Sequence, residues 1–337
     1  MEKDVVLLAI ESSCDETAVA IVKNGNEIIS SVVSTQISIH KKFGGVIPEV
    51  ASRLHVENVS VVIEEALAKA NMSVEDVDAI AYTLGPGLIG SLHVGVMAAK
   101  TLAFAYNKPL VPVHHIAGHI FANRFVDELE YPLMSLVVSG GHTELVYLKD
   151  PYSFEVVGET LDDAIGEAYD KVARVMSLPY PGGPEIDKLA KQGSFSYSLT
   201  KPKNDDSYDF SFSGLKSTVL QFIDRERRNG REINNADLAC SFQETALDVL
   251  VGKSVRAARD YDVKHLVLAG GVAANSRLRS LITETFEKEL PNVKVTIPPL
   301  WCCTDNAAMI GAAGYYAYQV NRFGTLKDKA SPSMDLF

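Results

Sequence analysis

Two stretches of this sequence share one build. Val5-Val6-Leu7-Leu8-Ala9-Ile10 is a continuous apolar run of strand length. The polar stretch Glu11-Ser12-Ser13-Cys14-Asp15-Glu16-Thr17 follows, and Ala18-Val19-Ala20-Ile21-Val22 predicts a return strand closed by Asn24-Gly25. Residues 133–138, the turn Ser139-Gly140-Gly141-His142-Thr143 and the return strand 144–148 repeat the pattern. Overlaying the turns puts Thr17 on Thr143. The chain therefore reads as two lobes, each opened by a strand–polar turn–strand unit, a repetition at domain scale and not a solenoid period. Helical spacing over 56–70, a strand at 79–84 and a long Ala/Val/Leu helix ending near Tyr106 fill the first half. In the second, a strand at 265–269 runs into Gly270-Gly271 and a helix beginning near Ala274. Strands alternating with helices give an α/β class. A length of 337 residues suits two domains, each able to bury a core.

Hydrophobic content of 47% and charged content of 22% exclude a disordered, collagen-like or coiled-coil chain. No transmembrane helix is expected, since the longest apolar window, 90–106, is interrupted by His93 and Lys100. The start, Met1-Glu2-Lys3-Asp4, lacks the basic region of a secretory signal. Cys14, Cys240, Cys302 and Cys303 form no C-x-x-C pair and no disulfide framework, so a reducing cytoplasm is expected. The adjacent Cys302 and Cys303 read as two buried thiols.

Gly85-Pro86-Gly87-Leu88-Ile89-Gly90 fits G-x-G-x-x-G between a strand and a helix. It lies beyond the first βα turn, and no acidic residue follows about 20 positions on, which speaks against dinucleotide binding. Its glycines are expected to serve a tight turn and a close helix approach. His115-Ile116-Ala117-Gly118-His119 is H-x-x-x-H; on a helix both imidazoles share one face, as two ligands of one metal require, whereas two surface histidines would share the spacing. Ile116 stands where a zinc protease carries its general-base Glu, so hydrolysis by that route is not expected. Thr304-Asp305-Asn306 precedes an apolar helix over 307–320 and offers either a helix cap or a third, carboxylate ligand. The turn at 139–143 offers backbone N–H groups to an anion, and Gly270-Gly271 precedes a helix start where a nucleotide could lie. Together they have the layout of a nucleotide cleft between two lobes. The loop-rich stretch between these landmarks holds the turn cluster at 180–184 and the polar segment 200–213.

Eight motifs now carry a resemblance over nearly the whole chain. They are residues 11–17, His114-His115-Ile116-Ala117-Gly118-His119, Val138-Ser139-Gly140-Gly141-His142-Thr143, Gly166-Glu167-Ala168-Tyr169-Asp170-Lys171, Tyr180-Pro181-Gly182-Gly183-Pro184, residues 209–216, Ala269-Gly270-Gly271-Val272-Ala273-Ala274-Asn275 and Cys303-Thr304-Asp305-Asn306. In these the chain resembles the bacterial tRNA N6-adenosine threonylcarbamoyltransferase family, TsaD, once called the glycoprotease Gcp. The resemblance implies a two-lobed actin-like, sugar-kinase and heat-shock-ATPase fold: duplicated RNase H-like lobes with a nucleotide cleft between them. Lobe I would span 1–110 with a returning C-terminal helix at about 306–328, and lobe II 111–305. It also implies a reaction: the threonylcarbamoyl group of threonylcarbamoyl-adenylate passes to N6 of adenine 37 in tRNAs reading ANN codons, and AMP leaves.

By motif, His115, His119 and Asp305 would hold one divalent metal, Fe2+ or Zn2+. Val137, Val138, Ser139, Gly140, Gly141, Asp170, Gly183, Asp187 and Asn275 would hold the adenylate, with ATP, ADP or AMP able to occupy the same cleft. No protein nucleophile is needed, and Glu11 or Asp15 are the candidates to accept the amine proton. The resemblance further implies a paralogous partner subunit of the same fold (TsaB), a small ATPase (TsaE) and a separate synthase supplying the donor (TsaC type).

Two other readings compete. A sugar-kinase-like phosphotransferase on the same fold would hold magnesium through oxygen ligands, unlike a His/His/Asp set. A non-catalytic ATP-switched scaffold would carry a substrate-binding appendage, which is not expected in this chain. The charge bears on the acceptor. With 32 Lys+Arg against 43 Asp+Glu, the net is 32 − 43 = −11, and tRNA repels an acidic surface. A local basic patch is needed, with Lys41 and Lys42, Lys201 and Lys203, or residues 225–231 as candidates; alternatively partners supply the positive surface. The last of these patches also reads simply as a solvated helix end. Weak, salt-sensitive tRNA binding by the isolated chain is expected.

Overall fold

A computed structural model describes residues 4–203 and 205–336. The opening residues Met1 to Lys3, on which part of the signal-peptide argument rests, lie outside the described residues, as do Asn204 and Phe337. The chain divides into two compact units, 4–129 with 298–336, and 130–297.

The first unit is built on five strands: β1 (Val6–Glu11), β2 (Glu16–Lys23), β3 (Glu27–Thr35), β4 (Ala79–Gly85) and β5 (Leu110–His114). Their order is β3-β2-β1-β4-β5. β1, β2 and β3 form an antiparallel meander, and β4 and β5 add in parallel. Its helices are α1 (Ile37–His40), α2 (Pro48–Ala70), α3 (Ile89–Tyr106), α4 (His115–Phe121) and, from the end of the chain, α10 (Leu300–Cys303) and α11 (Ala307–Gln319).

Alternation along the strands explains the layering. Leu8, Ile10, Ile80 and Tyr82 point into a core with Val62 and Ala66 of α2 and Leu92, Val96 and Ala99 of α3. Leu7, Ala9 and Ala81 face the other way, against Gly311 and Gly314 of α11. Burying apolar side chains on both faces, at about 25 cal/mol per Å2, is what makes β1 read as an unbroken apolar run. α2 starts eight residues before the expected 56, because Pro48 is preorganised for the first helical position. α3 has a mean hydropathy of 1.2 over 18 residues and is long and apolar enough to cross a membrane, yet it packs on α2 and β4.

The second unit repeats the plan with β6 (Leu133–Val138), β7 (Thr143–Asp150), β8 (Ser153–Glu159), β9 (His265–Ala269) and β10 (Lys294–Thr296). Their order, β10-β9-β6-β7-β8, is the first unit's order read from the other edge, with the same antiparallel and parallel pairings. The two apolar strands that opened the argument, β1 and β6, are therefore the central strands of duplicated sheets. The unit's helices are α5 (Ile165–Val175), α6 (Gly182–Ala190), α7 (Ser213–Arg228), α8 (Asn235–Asp260) and α9 (Ser276–Glu289). Gly182 already opens α6, so the turn cluster expected over 180–184 ends at Pro181.

The two compact units are bounded differently from the expected lobes. Residues 111–129 and 298–305, assigned from sequence to the second lobe, belong to the first unit. β5 is the fifth strand of its sheet, and α4 follows β5 directly and packs on α11.

Candidate active site: a histidine–carboxylate centre and a glycine-lined turn

In the first unit the expected metal ligands converge. β5 ends at His114, whose Nδ1 accepts the Ile116 N–H at 3.1 Å and so caps α4. One helical turn then separates His115 from His119, and their rings meet edge-on, 4.8 Å between centroids. Both are buried, 8% and 2% exposed, which removes the surface-histidine reading. Asp305 lies between α10 and α11. The capping expected of Thr304 or Asp305 falls to Asn306, whose side chain accepts the Met309 N–H at 3.0 Å. Asp305 is left to face the imidazoles: Oδ1 is 3.1 Å from His119 Nε2 and 3.6 Å from His115 Nε2.

Glu11, at the end of β1, completes the centre. It is fully buried. Oε2 lies 3.0 Å from His115 Nδ1 and accepts the Thr83 hydroxyl at 2.6 Å, while Oε1 accepts the Ser13 N–H. A carboxylate only accepts, so His115 Nδ1 carries a proton toward Glu11, and Nε2 is the ring nitrogen that faces Asp305. His119 Nδ1 has no such partner among the described residues. Burial opposes charge on His115, but Asp305 and Glu11 overcome it and push its pKa up to about 9. Burial would likewise raise Glu11, but His115 and Thr83 hold it below the usual carboxylate range.

Sequence reasoning missed Thr83 and Ser13 as partners of this centre. Thr83 is a polar residue near the end of an otherwise apolar strand, and that was its only signal.

Two imidazole nitrogens and a carboxylate oxygen, all within 4.8 Å of one another, make a donor set that fits a divalent transition metal. Asp305 keeps 21% of its side chain exposed, so the centre is open on one side. The other acidic residues of the β1–β2 turn differ in setting. Asp15 is half-buried. Glu16 is buried, and burial together with Asp305 and Asp15 raises its carboxyl to about 9. Burial and the same carboxylates push the Cys14 thiol far above its ordinary value, so it is no nucleophile.

The glycine turn 85–90 serves this centre as a scaffold. The Leu88 N–H donates to Ser13 O at 2.7 Å, and a Cβ on Gly87 would sit 2.6 Å from that same oxygen. Close approach, as expected, is what those glycines permit. Cys302 and Cys303 are buried thiols outside any disulfide.

The remaining site residues lie in the second unit, around the carboxyl ends of β6 and β9. Val137 and Val138 end β6 with side chains fully buried, so only their backbone is available to a ligand. Gly140 and Gly141 are exposed, with open space where a Cβ would stand. The turn is less free than its composition implies: Ser139 Oγ already accepts the N–H groups of Gly141 and His142, at 3.3 and 2.9 Å. Asp170 on α5 accepts the Gly182 N–H at 2.7 Å and so abuts Gly183; burial raises its carboxyl. Asp187 on α6 accepts the Ser276 hydroxyl at 2.9 Å, next to Asn275, which caps α9 and donates to Gln243 at 2.8 Å. The nine expected residues thus gather at one end of this unit, where helix N-termini and a glycine turn favour an anion.

The family model for TsaD, tRNA N6-adenosine threonylcarbamoyltransferase, matches residues 27–312. A Bacillus cereus protein of that name is 60% identical over 337 residues, covering 100% of this chain and 98% of the relative. One from Bacillus subtilis is 58% identical, covering 99% and 97%. Among solved structures, the Acidaminococcus fermentans (R)-2-hydroxyglutaryl-CoA dehydratase component A aligns with TM-score 0.54 at 16% identity, covering 94% of this chain and 99% of that one. HypF from T. kodakarensis aligns with TM-score 0.65 at 16% identity, over 94% of this chain and 48% of its own. At that identity these two speak to fold alone: the duplicated α/β fold of the actin-like and sugar-kinase group.

Proposed function

The chain belongs to the tRNA N6-adenosine threonylcarbamoyltransferase family and is a threonylcarbamoyl transferase acting on tRNA, and from that premise we propose how its residues divide the work. The donor is threonylcarbamoyl-adenylate, the acceptor N6 of adenine 37 in tRNAs reading ANN codons. The amine nitrogen forms a bond to the carbamoyl carbon, the carbon–phosphate oxygen bond breaks, and AMP leaves with that electron pair. The proton released by the amine goes to a protein base.

The second unit binds the adenylate. Val137, Val138, Ser139, Gly140 and Gly141 offer backbone to its phosphate. Asp170, Gly183, Asp187 and Asn275 line the ground beside it, where three helices begin. In the first unit His115, His119 and Asp305 hold one divalent ion, Fe2+ or Zn2+. Bound there, the ion supplies Lewis acidity toward a carbonyl that gains negative charge in the transition state. Glu11 orients His115 through Nδ1. Its full burial and three contacts speak against Glu11 as the proton acceptor and favour half-buried Asp15, the other candidate, for that role.

One observation carries this division: the three-residue donor set, its two histidines buried and His115 braced by Glu11, in a chain 60% identical to a named transferase over its full length. A kinase reading has no use for two imidazoles beside a carboxylate. We place the protein in the cytoplasm, where tRNA and free thiols are found. It works with a paralogous partner of the TsaB type, a TsaE-type ATPase and a TsaC-type synthase, and these contribute to tRNA capture by a chain of net charge −11.

Reconstitution tests the reading. Labelled threonine, bicarbonate, ATP, synthase, accessory proteins and tRNA are incubated with the wild-type chain, and modified adenosine is quantified. His115→Ala is expected to lose both metal and transfer while keeping its circular-dichroism spectrum. A variant that retains full transfer would remove the metal from the mechanism.

A further inference from the structure

We propose that the exposed Lys41–Phe43 turn of the first unit is the surface that receives the anticodon arm of the tRNA, with Phe43 stacking on a nucleotide near the modified adenine. This rests on tRNA being the acceptor and adds where it lands.

Topology puts the turn at the site's end of the sheet. β1 ends at Glu11, β2 starts at Glu16 and β3 ends at Thr35, which pairs with Glu16. The next residue, Gln36, donates its N–H to Asp15 O at 3.0 Å, so the segment leaving β3 is bonded directly to the turn that carries Glu11 and Asp15. One turn of α1 and the 3-10 turn Lys41–Phe43 then extend about 12 Å, a span of roughly three to four stacked nucleotides at about 3.4 Å each.

The base of this projection is fixed. His40 is fully buried; Nε2 lies 3.0 Å from Gln36 Oε1, and Nδ1 accepts the Ile47 N–H at 3.3 Å. Gly44, at φ +71°, turns the chain back in a left-handed conformation that glycine adopts at little cost. From this base Lys41 and Lys42 stand exposed, and neither side chain has an ionic or hydrogen-bonding partner among the described residues. Phe43 beside them is 58% exposed. Two unpaired cations flanking an aromatic face are what a nucleic-acid strand requires: charge for phosphate and a platform for a base.

The other basic candidates do not match. Lys201 is paired with Asp248 at 2.6 Å and Lys203 with Asp205 at 2.7 Å. Arg225 and Arg231 share Glu226. That last patch also lies at the wrong end of its unit. α7 starts against Asp162, just past β8, near the glycine turn, and its 16 residues carry Arg228 about 24 Å away.

The test measures binding of tRNA, and separately of its isolated anticodon stem-loop, to the transferase assembled with its accessory proteins, by fluorescence anisotropy across a salt series. Lys41→Glu/Lys42→Glu is expected to weaken both probes at least tenfold and to reduce the slope of log K against log salt by about 1.5. Phe43→Ala is expected to lose about tenfold with the salt slope unchanged. Arg227→Glu/Arg228→Glu, the comparator, stays within twofold of wild type. Metal content and adenylate binding are measured on every variant and stay at wild-type levels, which separates a docking defect from a damaged centre. Wild-type affinity and slope in the double-lysine variant would overturn the proposal, as would a loss on full tRNA without one on the stem-loop. Wild-type assembly that binds tRNA but transfers nothing would count against the function proposed above and leave the docking measurement intact.

Discussion

The β1–β2 turn and the β6–β7 turn occupy the same place in two sheets of the same order, yet one presents side chains and the other presents backbone. In the first, residues 12–15 sit between Glu11 and Glu16, and the strand end itself contributes a buried carboxylate to His115. In the second, residues 139–142 include two exposed glycines with nothing in front of them. The threonines that overlay in sequence keep a common task. Thr17 Oγ1 lies 2.7 Å from His55 Nδ1 on α2, and Thr143 Oγ1 accepts the Ile165 N–H at 2.8 Å at the start of α5. Each ties its hairpin to a helix that follows the third strand. A duplicated scaffold thus keeps its braces and diverges at the turn, one copy setting a buried carboxylate against a histidine and the other exposing glycine backbone.

The largest expected effect comes from breaking the second turn's backbone support. Gly270 has φ +88°, and a Cβ there would lie 2.5 Å from Val138 O, at the end of β6. Gly270→Ala therefore combines left-handed strain with a clash against main chain and is expected to cost more than about 3 kcal/mol. Chemical denaturation checks this. Adenylate binding should fall with it while metal content holds, because His115, His119 and Asp305 belong to the other unit. Metal loss in parallel would mean the two turns are not separable.

A smaller loss is expected on the metal side. Glu11→Gln keeps the shape and the contact to the Ser13 N–H but removes the charge that fixes the His115 ring. Outer-shell partners of this kind typically contribute 10- to 100-fold in metal affinity. Chelator competition should show a drop in that range, with adenylate affinity unchanged. Unchanged metal affinity would reduce Glu11 to a packing role.

How much of this was legible in sequence follows from the physics of each part. β1, β6 and β9 were readable because a central strand covered on both faces must be apolar throughout. β3 was not: its burial mixes exposed and buried positions along an edge strand, and no apolar run marks it. The His115–His119 spacing announced a shared helix face, but only the fold could bring Asp305 across 186 residues to His119 and hand its capping role to Asn306. The Ser139 hydroxyl illustrates the opposite error. Composition gave the glycine turn free N–H groups, and a local side chain had already taken two of them.

The smallest effect separates two carboxylates at strand ends, fully buried Glu11 and half-buried Glu144, by pH. Glu11 meets a histidine and is held low. Glu144, at the start of β7, instead stands opposite Glu159 in the ladder, and burial with that like charge raises it to about 7. A carboxyl raised in the folded state keeps its proton there after the unfolded chain has lost it. The native state therefore binds more protons between about 4.5 and 7, and stability falls as pH rises through that window. Glu144→Gln removes the titration. Its stability relative to wild type should rise by of order 1 kcal/mol on going from pH 4 to pH 8, with solvent screening trimming the full linkage value. Denaturant midpoints at the two pH values measure that difference. A stabilisation equal at both would show that Glu144 acts through packing, and the contrast with Glu11 would then rest on geometry alone.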